Sequence, residues 1–471
     1  MRKTKIVCTV GPACEDAATL SAMIRAGMNV ARLNFSHGTH EQHQQKIDLL
    51  KQVREDLGVP LAIMLDTKGP EYRIRTFENG SVELTEGQTF TFTTDQSIIG
   101  DNTRVAVSYE GMTADLAVGD TILVNNGLLV FRVDSLSGAE AVCTVLEGGI
   151  MSDRKSMAFP GKVLKQVYLS EQDKADLLFG IRNDVDFIAC SFVSSRQDLL
   201  DVKEFLNANG GGHIDIIAKI ENRSGVENIE EICAECNGIM VARGDLGVEI
   251  PYEELPAIQK LLIDKCRLLG KRVITATEML ESMIHNVRPT RAEISDVANA
   301  VYDGTSAIML SGETAAGEHP VLAVEAMARI AERTETTINY EKRFRQSEFR
   351  IRSTVDALSH ATCGMAIDIG AAAIAVCTLS GMTARMVSRF RPPVDITGLT
   401  TDERTWRRLA LSWGVTPVLC EMFNSTDVLF YTAKNLTKQT LGLKKGDRLV
   451  LTGGITNGCS GNTDIIKLET V

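Results

Sequence analysis

The chain has 471 residues, of which 44% are hydrophobic and 24% are charged, and its formal net charge is −11 at pH 7. This acidic balance makes nucleic acid and anionic membranes poor partners, and no run approaches the roughly 20 apolar residues that span a bilayer. The 11 cysteines are odd in number and lack the spacing of a disulfide framework, which predicts a cytoplasmic protein in a reducing compartment.

Eight short apolar runs recur along the chain, and each ends in small, polar or charged residues. Three precede a long interruption and five follow it: KIVCTVGP, NVARLNFSHG, LAIMLDTKGP, DFIACSF, IIAKIEN, GIMVARGD, VITATEM and AIMLSGET. Helical patterns such as CEDAATLSAMIRAG separate them, and this alternation predicts parallel strands. Eight such units predict a (β/α)8 TIM barrel, whose chemistry takes place at the carboxyl ends of its strands.

The interruption at residues 71–167 has a different pattern. Short alternating runs are separated by glycine-containing turns: SVELTEG, QTFTFTTD, TRVAVSYEG, GDTILVNNG and AVCTVLEGG. This pattern is typical of a small β-barrel or sandwich. Because the segment follows the third barrel strand, we interpret it as a small β-barrel lid domain above the active end of the barrel. The barrel itself would comprise residues 1–70 and 168–340.

A charged stretch, NYEKRFRQSEFRIRS, predicts another boundary at residues 339–353. Beyond it, helical patterns again alternate with apolar runs: AAAIAVCTLSG, VDITGLTT, TPVLCEM and GDRLVLTGG. This alternation predicts a separate C-terminal αβα domain over residues 350–471.

Charged side chains end two neighbouring barrel strands. Lys219 and Glu221 share a face in AKIEN, because residues two apart in a strand point the same way, and Asp245 ends VARGD. Two carboxylates at adjacent strand ends suit a hard divalent ion such as Mg²⁺ or Mn²⁺. A lysine beside that ion suits phosphoryl transfer. The alternative is a set of structural salt bridges with Lys219 and Arg243.

Three further features suit an anionic substrate. Arg32 ends the second strand and Arg73 opens the inserted segment, and either could bind a phosphate with its guanidinium fork unless both are surface residues. Gly244 lets a ligand approach the backbone closely. Amides of a helix beginning there could hold a carboxylate beside the Thr277 hydroxyl, although a plain turn is equally consistent with the sequence. No GxxxxGK[ST], HRD or DFG signature occurs in the sequence.

Five long motifs make the pattern specific: LDTKGPE, IIAKIEN, GIMVARGDLGVEIP, RPTRAE with DVANAV, and MLSGETA. They resemble the pyruvate kinase family, in order and in register with all eight predicted strands. The resemblance extends from KIVCTVGP to the C-terminus, including the inserted and last domains. It implies transfer of the phosphoryl group of phosphoenolpyruvate to ADP, which gives ATP and pyruvate in the final step of glycolysis. It also implies a homotetramer.

The resemblance implies a role for each matching residue. Lys219 would neutralise the transferring phosphoryl group, Arg32 would contact the phosphate, and Glu221 and Asp245 would hold Mg²⁺ or Mn²⁺. The seat of the substrate carboxylate would be the amides of Gly244 and Asp245 with the hydroxyl of Thr277. The K⁺ ligands would be Asn34, Ser36, Asp66 and Thr67. The nucleotide contacts would be Asn34, His37, Arg73 and Pro12. The residues that shape the site and its proton-relay water network would be Ser311 and Glu313.

Two features imply regulation by small molecules. Glu71 in TKGPE resembles relatives that need K⁺, whereas K⁺-independent relatives carry a lysine there. In the last domain, CTLSGMTAR resembles the loop that binds phosphorylated sugar effectors, and the matching residues are Thr378, Ser380, Gly381 and Thr383. Met382 stands where a basic residue is common, which would weaken effector binding or change the ligand.

Several departures from the family pattern leave the predicted reaction unchanged. Glu278 replaces a usual glutamine beside Thr277, SFVSSRQD lacks a basic pair, and VNNG and AFPG differ from the common lid sequences. We expect them to affect substrate affinity, pH optimum and lid behaviour.

Two other functions are weighed against this one. A Mg²⁺-dependent barrel lyase or aldolase acting on pyruvate-like enolates would share Glu221 and Asp245, but it would not need Lys219 or Arg73. A non-catalytic metabolite sensor using the last domain would not need the set of Lys219, Glu221 and Asp245.

Overall fold

The structure is a computed structural model that describes residues 1–162, 164–165, 167–423, 425–454 and 463–471. Three parallel strands and two helices open the chain: β1 Lys5–Thr9, α1 Ala17–Ala26, β2 Val30–Asn34, α2 His40–Leu57 and β3 Ala62–Asp66. Both helices begin at side-chain caps. Asp16 accepts a hydrogen bond from the amide of Thr19, and Thr39 and Gln42 form a capping box.

The chain then leaves the barrel for a mostly antiparallel insert. Its elements are β4 Tyr72–Arg73, β5 Ser81–Leu84, β6 Thr89–Thr93, β7 Arg104–Ala106, α3 Met112–Asp115, β8 Thr121–Val124, β9 Leu129–Ser137, β10 Glu140–Glu147, β11 Gly149–Ser152 and β12 Ser156–Ala158. Strands pair in the order β4-β12-β8-β9-β10-β6-β7, and β5 pairs with β11. A bridge between Ile74 and Val107 joins the residues that follow the two edge strands. The sheet therefore curls back on itself around its own apolar core, which confirms the predicted small β-barrel.

The second part of the barrel follows the insert. Its elements are α4 Glu171–Arg182, β13 Phe187–Cys190, α5 Arg196–Ala208, β14 Asp215–Ile220, α6 Arg223–Glu227, α7 Ile229–Glu235, β15 Gly238–Ala242, α8 Arg243–Glu249, α9 Leu255–Leu269, β16 Arg272–Ala276, α10 Arg291–Asp303, β17 Ala307–Leu310, α11 Gly312–Ala315 and α12 Pro320–Glu335. Thr290 and Glu293 form the capping box that opens α10.

The barrel strands pair in parallel in the closed order β1-β17-β16-β15-β14-β13-β3-β2. One set of alternating residues fills the interior, including Val7, Met64 and Phe187, while the other set packs against the surrounding helices. This closed order confirms the predicted (β/α)8 barrel and brings the carboxyl ends of its strands to one rim.

The last part of the chain forms an αβα domain. Its elements are α13 Tyr340–Gln346, α14 Thr354–Asp368, β18 Ala373–Cys377, α15 Met382–Arg389, β19 Asp395–Thr400, α16 Glu403–Leu409, β20 Val415–Leu419, α17 Thr426–Leu441, β21 Arg448–Gly454 and β22 Thr463–Thr470. The sheet order is β20-β19-β18-β21-β22, with β22 antiparallel to β21. One face packs on α14 and α15 and the other on α17, as predicted for three layers.

The αβα domain closes the amino end of the barrel. Leu411, which follows α16, is fully buried and belongs to the apolar cluster inside the barrel. Arg407 Nε donates to Asp186 Oδ1 at 2.7 Å, and Arg408 Nη1 donates to Asp215 Oδ1 at 3.3 Å. The opposite rim, where the strands end, is thus left for the insert and the predicted site.

The exact residue numbers at which the three domains begin and end stay predictions. None of the helices in the part of the chain described by the structure has the length and apolar character needed to cross a membrane.

Candidate active site

Four charged side chains from three strands converge at the carboxyl rim. Arg32 lies on β2, Asp66 ends β3, and Lys219 lies on β14 immediately before Ile220 and Glu221. Arg32 Nε donates to Asp66 Oδ2 at 2.6 Å. Lys219 Nζ lies 3.1 Å from Asp66 Oδ1 and 3.0 Å from Glu221 Oε1. All four residues are buried, so these charges interact in a poorly solvated space.

The opposite charges hold one another ionised. Burial alone would raise the pKa of Asp66, but Arg32 and Lys219 outweigh burial and keep its pKa below the usual value. Burial alone would lower the pKa of Lys219, but Asp66 and Glu221 outweigh it and raise its pKa. Lys219 is therefore a fixed cation at neutral pH.

Both oxygens of Glu221 have partners within the protein. Oε2 accepts a hydrogen bond from the Phe192 amide at 2.6 Å, and the buried Oε1 is paired with Lys219 Nζ at 3.0 Å. Burial raises the pKa of Glu221 to about 7; Lys219 opposes this rise and Asp245 adds to it. A buried carboxylate whose pKa is raised by a second carboxylate suits the binding of a hard divalent cation.

Asp245 lies in the first turn of α8 and lines the cleft above the rim. Arg243, offered by the sequence as a structural partner for it, instead pairs with Asp296 at 2.8 Å. Within the described residues, no group of three or more carboxylate, histidine or cysteine side chains is arranged to hold a metal. Glu221 and Asp245 would therefore bind an ion together with oxygen atoms of substrate and water.

The predicted carboxylate seat lies where β15 and β16 end. The Gly244 amide donates to Thr277 Oγ1 at 2.8 Å, and Thr277 Oγ1 donates to Ala276 O at 2.6 Å. Thr277 and Glu278 have φ values of 68° and 52°, a strained conformation that clusters at functional sites. Arg243 Nη2 donates to Thr277 O at 2.6 Å and thereby supports the strained turn.

The predicted K⁺ ligands lie at the ends of two paired strands. Asn34 at the end of β2 is opposite Asp66 at the end of β3. Ser36 and Thr67 follow these two residues, and Asn34 Oδ1 accepts a hydrogen bond from the Ser36 amide at 3.1 Å. The structure therefore places the four residues at or just beyond the ends of two neighbouring strands, and their role as ligands stays a prediction.

The predicted nucleotide contacts come from separate segments of the barrel and the insert. Arg73 forms a bidentate pair with Glu71, with Nη2–Oε1 and Nε–Oε2 distances of 2.6 and 2.9 Å. The backbone carbonyl of the exposed His37 is 2.8 Å from His43 Nε2. Pro12 opens a short 3-10 helix, Pro12–Cys14. To contact a nucleotide, Arg73 would have to break its ion pair with Glu71 or bind Glu71 and the nucleotide together.

Ser311 and Glu313 follow β17. Both oxygens of the fully buried Glu313 accept backbone hydrogen bonds, one from Leu280 at 3.0 Å and one from Ser311 at 2.7 Å. The buried Ser311 Oγ has no hydrogen-bond partner. Glu313 thus ties the ends of β16 and β17 together, which gives it a positioning role.

The cleft between the insert and the rim has a volume of about 120 Å³. The insert contributes Asn126 and Phe159 to its walls, and the rim contributes Asp245 and Glu249. Burial raises the pKa of Glu249 to about 7; a hydrogen bond from the Phe159 backbone opposes this rise, and Asp245 adds to it.

Sequence reasoning missed Ser191 and Glu249. Lys219 Nζ donates to Ser191 Oγ at 2.6 Å, and Ser191 Oγ donates to Thr67 O at 2.6 Å. Ser191 directly follows β13, so its position at the end of the fourth predicted barrel strand was an available signal. Glu249 ends α8 and carried no comparable sequence signal.

The predicted effector loop precedes α15. Thr378 Oγ1 accepts a hydrogen bond from the Gly381 amide at 3.0 Å, and Gly381 has a φ of 78°. Thr383 is buried, and its hydroxyl lies 2.6 Å from that of Thr463. The four predicted residues are close in the chain, but the Thr383 hydroxyl already has a protein partner.

Comparison with known proteins identifies the family. A model described as the pyruvate kinase barrel domain matches residues 1–324, and one described as the pyruvate kinase alpha/beta domain matches residues 356–469. The pyruvate kinase of Clostridium acetobutylicum is 44% identical over 100% of both chains. That of Geobacillus stearothermophilus is 46% identical over 100% of this chain and 80% of its own.

A solved structure of a pyruvate kinase from Cryptosporidium parvum has a TM-score of 0.95 to this chain. It is 37% identical and is matched over 100% of this chain and 96% of its own. The two family models together match most of the sequence, and the curated relatives match its full length. The chain therefore belongs to the pyruvate kinase family of phosphotransferases.

Proposed function

We propose that the protein transfers the phosphoryl group of phosphoenolpyruvate to ADP and releases ATP and pyruvate. The observation that carries this proposal is the ammonium of Lys219, held 3.1 Å from Asp66 and 3.0 Å from Glu221 at the barrel rim. This lysine is buried, and its neighbours keep it cationic. A fixed cation at the strand ends is the group needed to neutralise a phosphoryl group in transfer.

Electrostatic neutralisation is the main catalytic demand, because both substrates are polyanions. Lys219 and Arg32 supply two buried positive charges on adjacent sides of Asp66. Because their partners already orient them, little reorganisation is required when charge develops on the phosphoryl oxygens. Lys219 is proposed to contact the transferring group and Arg32 the phosphate.

The divalent cation would be Mg²⁺ or Mn²⁺, held by Glu221 and Asp245. When bound, it would supply positive charge that neutralises phosphoryl and enolate oxygens. The buried Glu221 carboxylate and the neighbouring charge of Asp245 support this assignment, since carboxylate oxygens are the ligands that such ions prefer.

The substrate carboxylate would lie against the amides of Gly244 and Asp245 and the Thr277 hydroxyl. The Gly244 amide currently donates to Thr277 Oγ1, so the substrate would replace that hydrogen bond. A Cβ at Gly244 would make only ordinary contacts with Thr277, at 3.6 Å or more. The proposed reason for glycine is therefore the approach of a ligand.

A monovalent cation, K⁺, would bind at the end of β2 and β3, next to the phosphate. Its proposed ligands are Asn34, Ser36, Asp66 and Thr67. The nearby Asp66 is fully buried and ionised, which supports a cation there. The ADP contacts are proposed to be Asn34, His37, Arg73 and Pro12, with Ser311 and Glu313 shaping the far wall of the site.

The domain limits proposed here are 1–70 and 168–340 for the barrel, 71–167 for the lid and 350–471 for the αβα domain. We further propose a cytoplasmic homotetramer whose loop of Thr378, Ser380, Gly381 and Thr383 binds a sugar-phosphate effector. The support for the loop is the left-handed Gly381, which turns the chain into α15.

The test compares wild type with Lys219→Met in a coupled assay of ADP-dependent pyruvate formation containing Mg²⁺ and K⁺. We expect turnover to fall by about 10²–10³-fold, because removal of a single preorganised stabilising group costs on this order. Binding of phosphoenolpyruvate should change by less than about tenfold, since Arg32 and the carboxylate seat remain.

Lys203→Met is the matched control, because Lys203 pairs with Glu235 on the outside of the barrel. Its turnover should equal that of wild type. Near-normal turnover of Lys219→Met would reject the role of Lys219 and, with it, the proposed mechanism.

A further inference from the structure

A cleft lies where the C-terminal end of α9 meets α15, and it is called the junction cleft here. Its volume is about 270 Å³, and its charged lining residues are Lys271, Arg352, Asp356, Arg385 and Arg389. Lys271 directly precedes β16, so the cleft lies at the amino end of the barrel, opposite the active rim. Met382 and Arg385 belong to the CTLSGMTAR segment, but the cleft is lined by none of the four predicted effector residues, Thr378, Ser380, Gly381 and Thr383, and by no residue of the proposed active site.

The charges lining the junction cleft are unbalanced. Four cationic side chains face one carboxylate, and that carboxylate is already engaged. Asp356 Oδ1 lies 3.1 Å from Arg389 Nη1, and Asp356 Oδ2 accepts a hydrogen bond from the Arg352 amide at 3.0 Å. Positive charge therefore remains after the internal pairing is counted.

Two of these arginines are incompletely hydrogen-bonded: Arg389 is buried, and the Arg385 side chain is 13% exposed. The Arg389 side chain is 5% exposed, and its Nε has no partner. The buried Nε of Arg385 also has none, and Arg385 Nη1 is 3.8 Å from Asp215 Oδ2, beyond hydrogen-bond distance. Burial lowers the pKa of both guanidinium groups despite the nearby carboxylates. Unsatisfied buried cationic donors are costly, so they favour an added anion.

A neighbouring cavity shows that a basic lining alone does not make such a site. It has a volume of about 450 Å³ and shares Lys271 with the junction cleft. Its other cations are paired, because Lys203 lies 2.7 Å from Glu235 and Arg408 lies 3.3 Å from Asp215. The positive charge lining the larger cavity is therefore mostly balanced by carboxylates of the protein, whereas that lining the junction cleft is not.

We propose that the junction cleft binds a small phosphate monoester, as a second anion site separate from the catalytic rim and the loop before α15. Guanidinium groups bind phosphate oxygens through paired N–H donors. The volume of 270 Å³ is close to the lower limit of ordinary ligand pockets, about 300 Å³. It therefore suits a phosphate carrying a sugar-sized group.

An anion in the junction cleft would contact two segments of the chain, each of which continues into another predicted site. On the barrel side, β16 runs from Arg272 to Ala276 and continues into Thr277, a span of roughly 16 Å at about 3.3 Å per residue. On the other side, α15 begins at Met382, within the predicted effector segment. An anion held between Lys271 and Arg385 would therefore link the barrel to the αβα domain.

The experiment measures ligand binding to the full-length chain by calorimetry, with no need for catalysis. The probes are inorganic phosphate and glucose 6-phosphate, with glucose as the uncharged control. We expect both phosphates to bind wild type and glucose not to bind. Arg385→Met on α15 and Lys271→Met on the barrel should each weaken binding by tenfold or more.

Three further variants locate the bound anion. Arg385→Lys should bind phosphate more weakly than wild type but more tightly than Arg385→Met, because it keeps the charge and loses the paired N–H donors. Lys203→Met, in the neighbouring cavity, and Ser380→Ala, in the effector loop, should retain the wild-type affinity for inorganic phosphate. Thermal unfolding of each variant verifies that a loss of binding does not reflect loss of the fold.

Two outcomes would overturn the proposal. One is the absence of binding of either phosphate to wild type at millimolar concentrations. The other is a loss of binding in Ser380→Ala and Arg385→Met with wild-type affinity in Lys271→Met, which would place the anion in the effector loop. Because the readout is binding, inactivity of the enzyme would leave this result intact.

Discussion

Lys219 illustrates how a buried cation can be stable and still serve a reaction. Burial without a charged partner would lower the pKa of an ammonium group and favour its neutral form. Here Asp66 and Glu221 lie within 3.1 Å of Lys219 Nζ and raise its pKa. The structural salt bridge considered from the sequence does form. Its presence does not exclude catalysis, since the same pair positions the ammonium at the barrel rim.

Individual residues also show the limits of sequence reasoning. Lys219 and Glu221 were recognisable because charged side chains rarely end an apolar run without a partner. Ser191 was not recognised, because a serine at a strand end is common and its contact with Lys219 joins two separate strands. Arg73 was identified, but its bidentate pairing with Glu71 was not.

Glu71→Lys tests the proposed requirement for K⁺. The substitution removes the partner of Arg73 and places a tethered ammonium near the proposed K⁺ ligands. We expect activity in K⁺-free and Na⁺-free buffer, relative to activity with K⁺, to rise by about tenfold or more over wild type. Initial rates in tetramethylammonium buffer provide the measurement.

Glu71→Gln is the matched control, since it breaks the pair with Arg73 without adding a cation. It should remain dependent on K⁺. High activity of wild type itself without K⁺ or Na⁺ would show that the requirement is absent.

Lys5 provides a test of pH-dependent stability. It opens β1 beneath the αβα domain, where Lys5 Nζ donates to Val415 O at 2.7 Å. Burial lowers its pKa to about 7, and Arg2 contributes further. The unfolded chain binds this proton up to a pH near 10.4, so the penalty for burying the charge is complete below pH 7 and decreases as the pH rises from 7 to 10.

Wild type should therefore gain stability relative to Lys5→Met between pH 7 and pH 10. The expected slope is at most about 1.4 kcal/mol per pH unit. Paired denaturant unfolding curves at several pH values give the difference, in which the titration of other groups largely cancels. A difference that stays constant over this range would show that Lys5 does not have the lowered pKa.

At the scale of elements, close approach between backbones sets the position of the first loop. A Cβ at Gly11 would lie 2.6 Å from Ala315 O, so α11 and the turn before Pro12 are in contact only because residue 11 is glycine. The φ of Gly11 is −152°, which any residue adopts. The requirement for glycine is therefore steric and could not be inferred from local turn chemistry.

Gly11→Ala should lower the stability of the protein by about 1–3 kcal/mol, because neither backbone can yield without moving a strand end. Gly364→Ala is the opposite case, since a Cβ there meets nothing within 4 Å inside α14. It should raise stability by up to about 1 kcal/mol through helix propensity. Thermal unfolding distinguishes the two, and equal effects would contradict the steric argument.

At the scale of the whole molecule, the αβα domain completes the barrel. Leu411 lies within the interior cluster of the barrel and is fully buried, although it comes from the chain that follows α16. The amino end of the barrel is thereby sealed with apolar atoms from another domain. The two domains are expected to unfold together rather than separately.

Leu411→Ala tests this coupling. It should destabilise the protein by about 2–5 kcal/mol, the usual range for removing a buried leucine, and should separate the unfolding of the two domains into two transitions. Differential scanning calorimetry provides the measurement. Leu322→Ala, at a residue 40% exposed, should change neither the midpoint nor the number of transitions.

The sequence alone determined the eight barrel strands, the insert, the αβα domain and the positions of the chemically important strand ends. It could do so because these features depend on local periodicity and on motifs within a few residues. Tertiary structure alone decided that Lys219 bridges Asp66 and Glu221, that Leu411 enters the barrel, and that incompletely hydrogen-bonded arginines lie near Lys271 at a domain junction. Each of these contacts joins residues far apart in the chain, and only the packing of complete elements determines their distances.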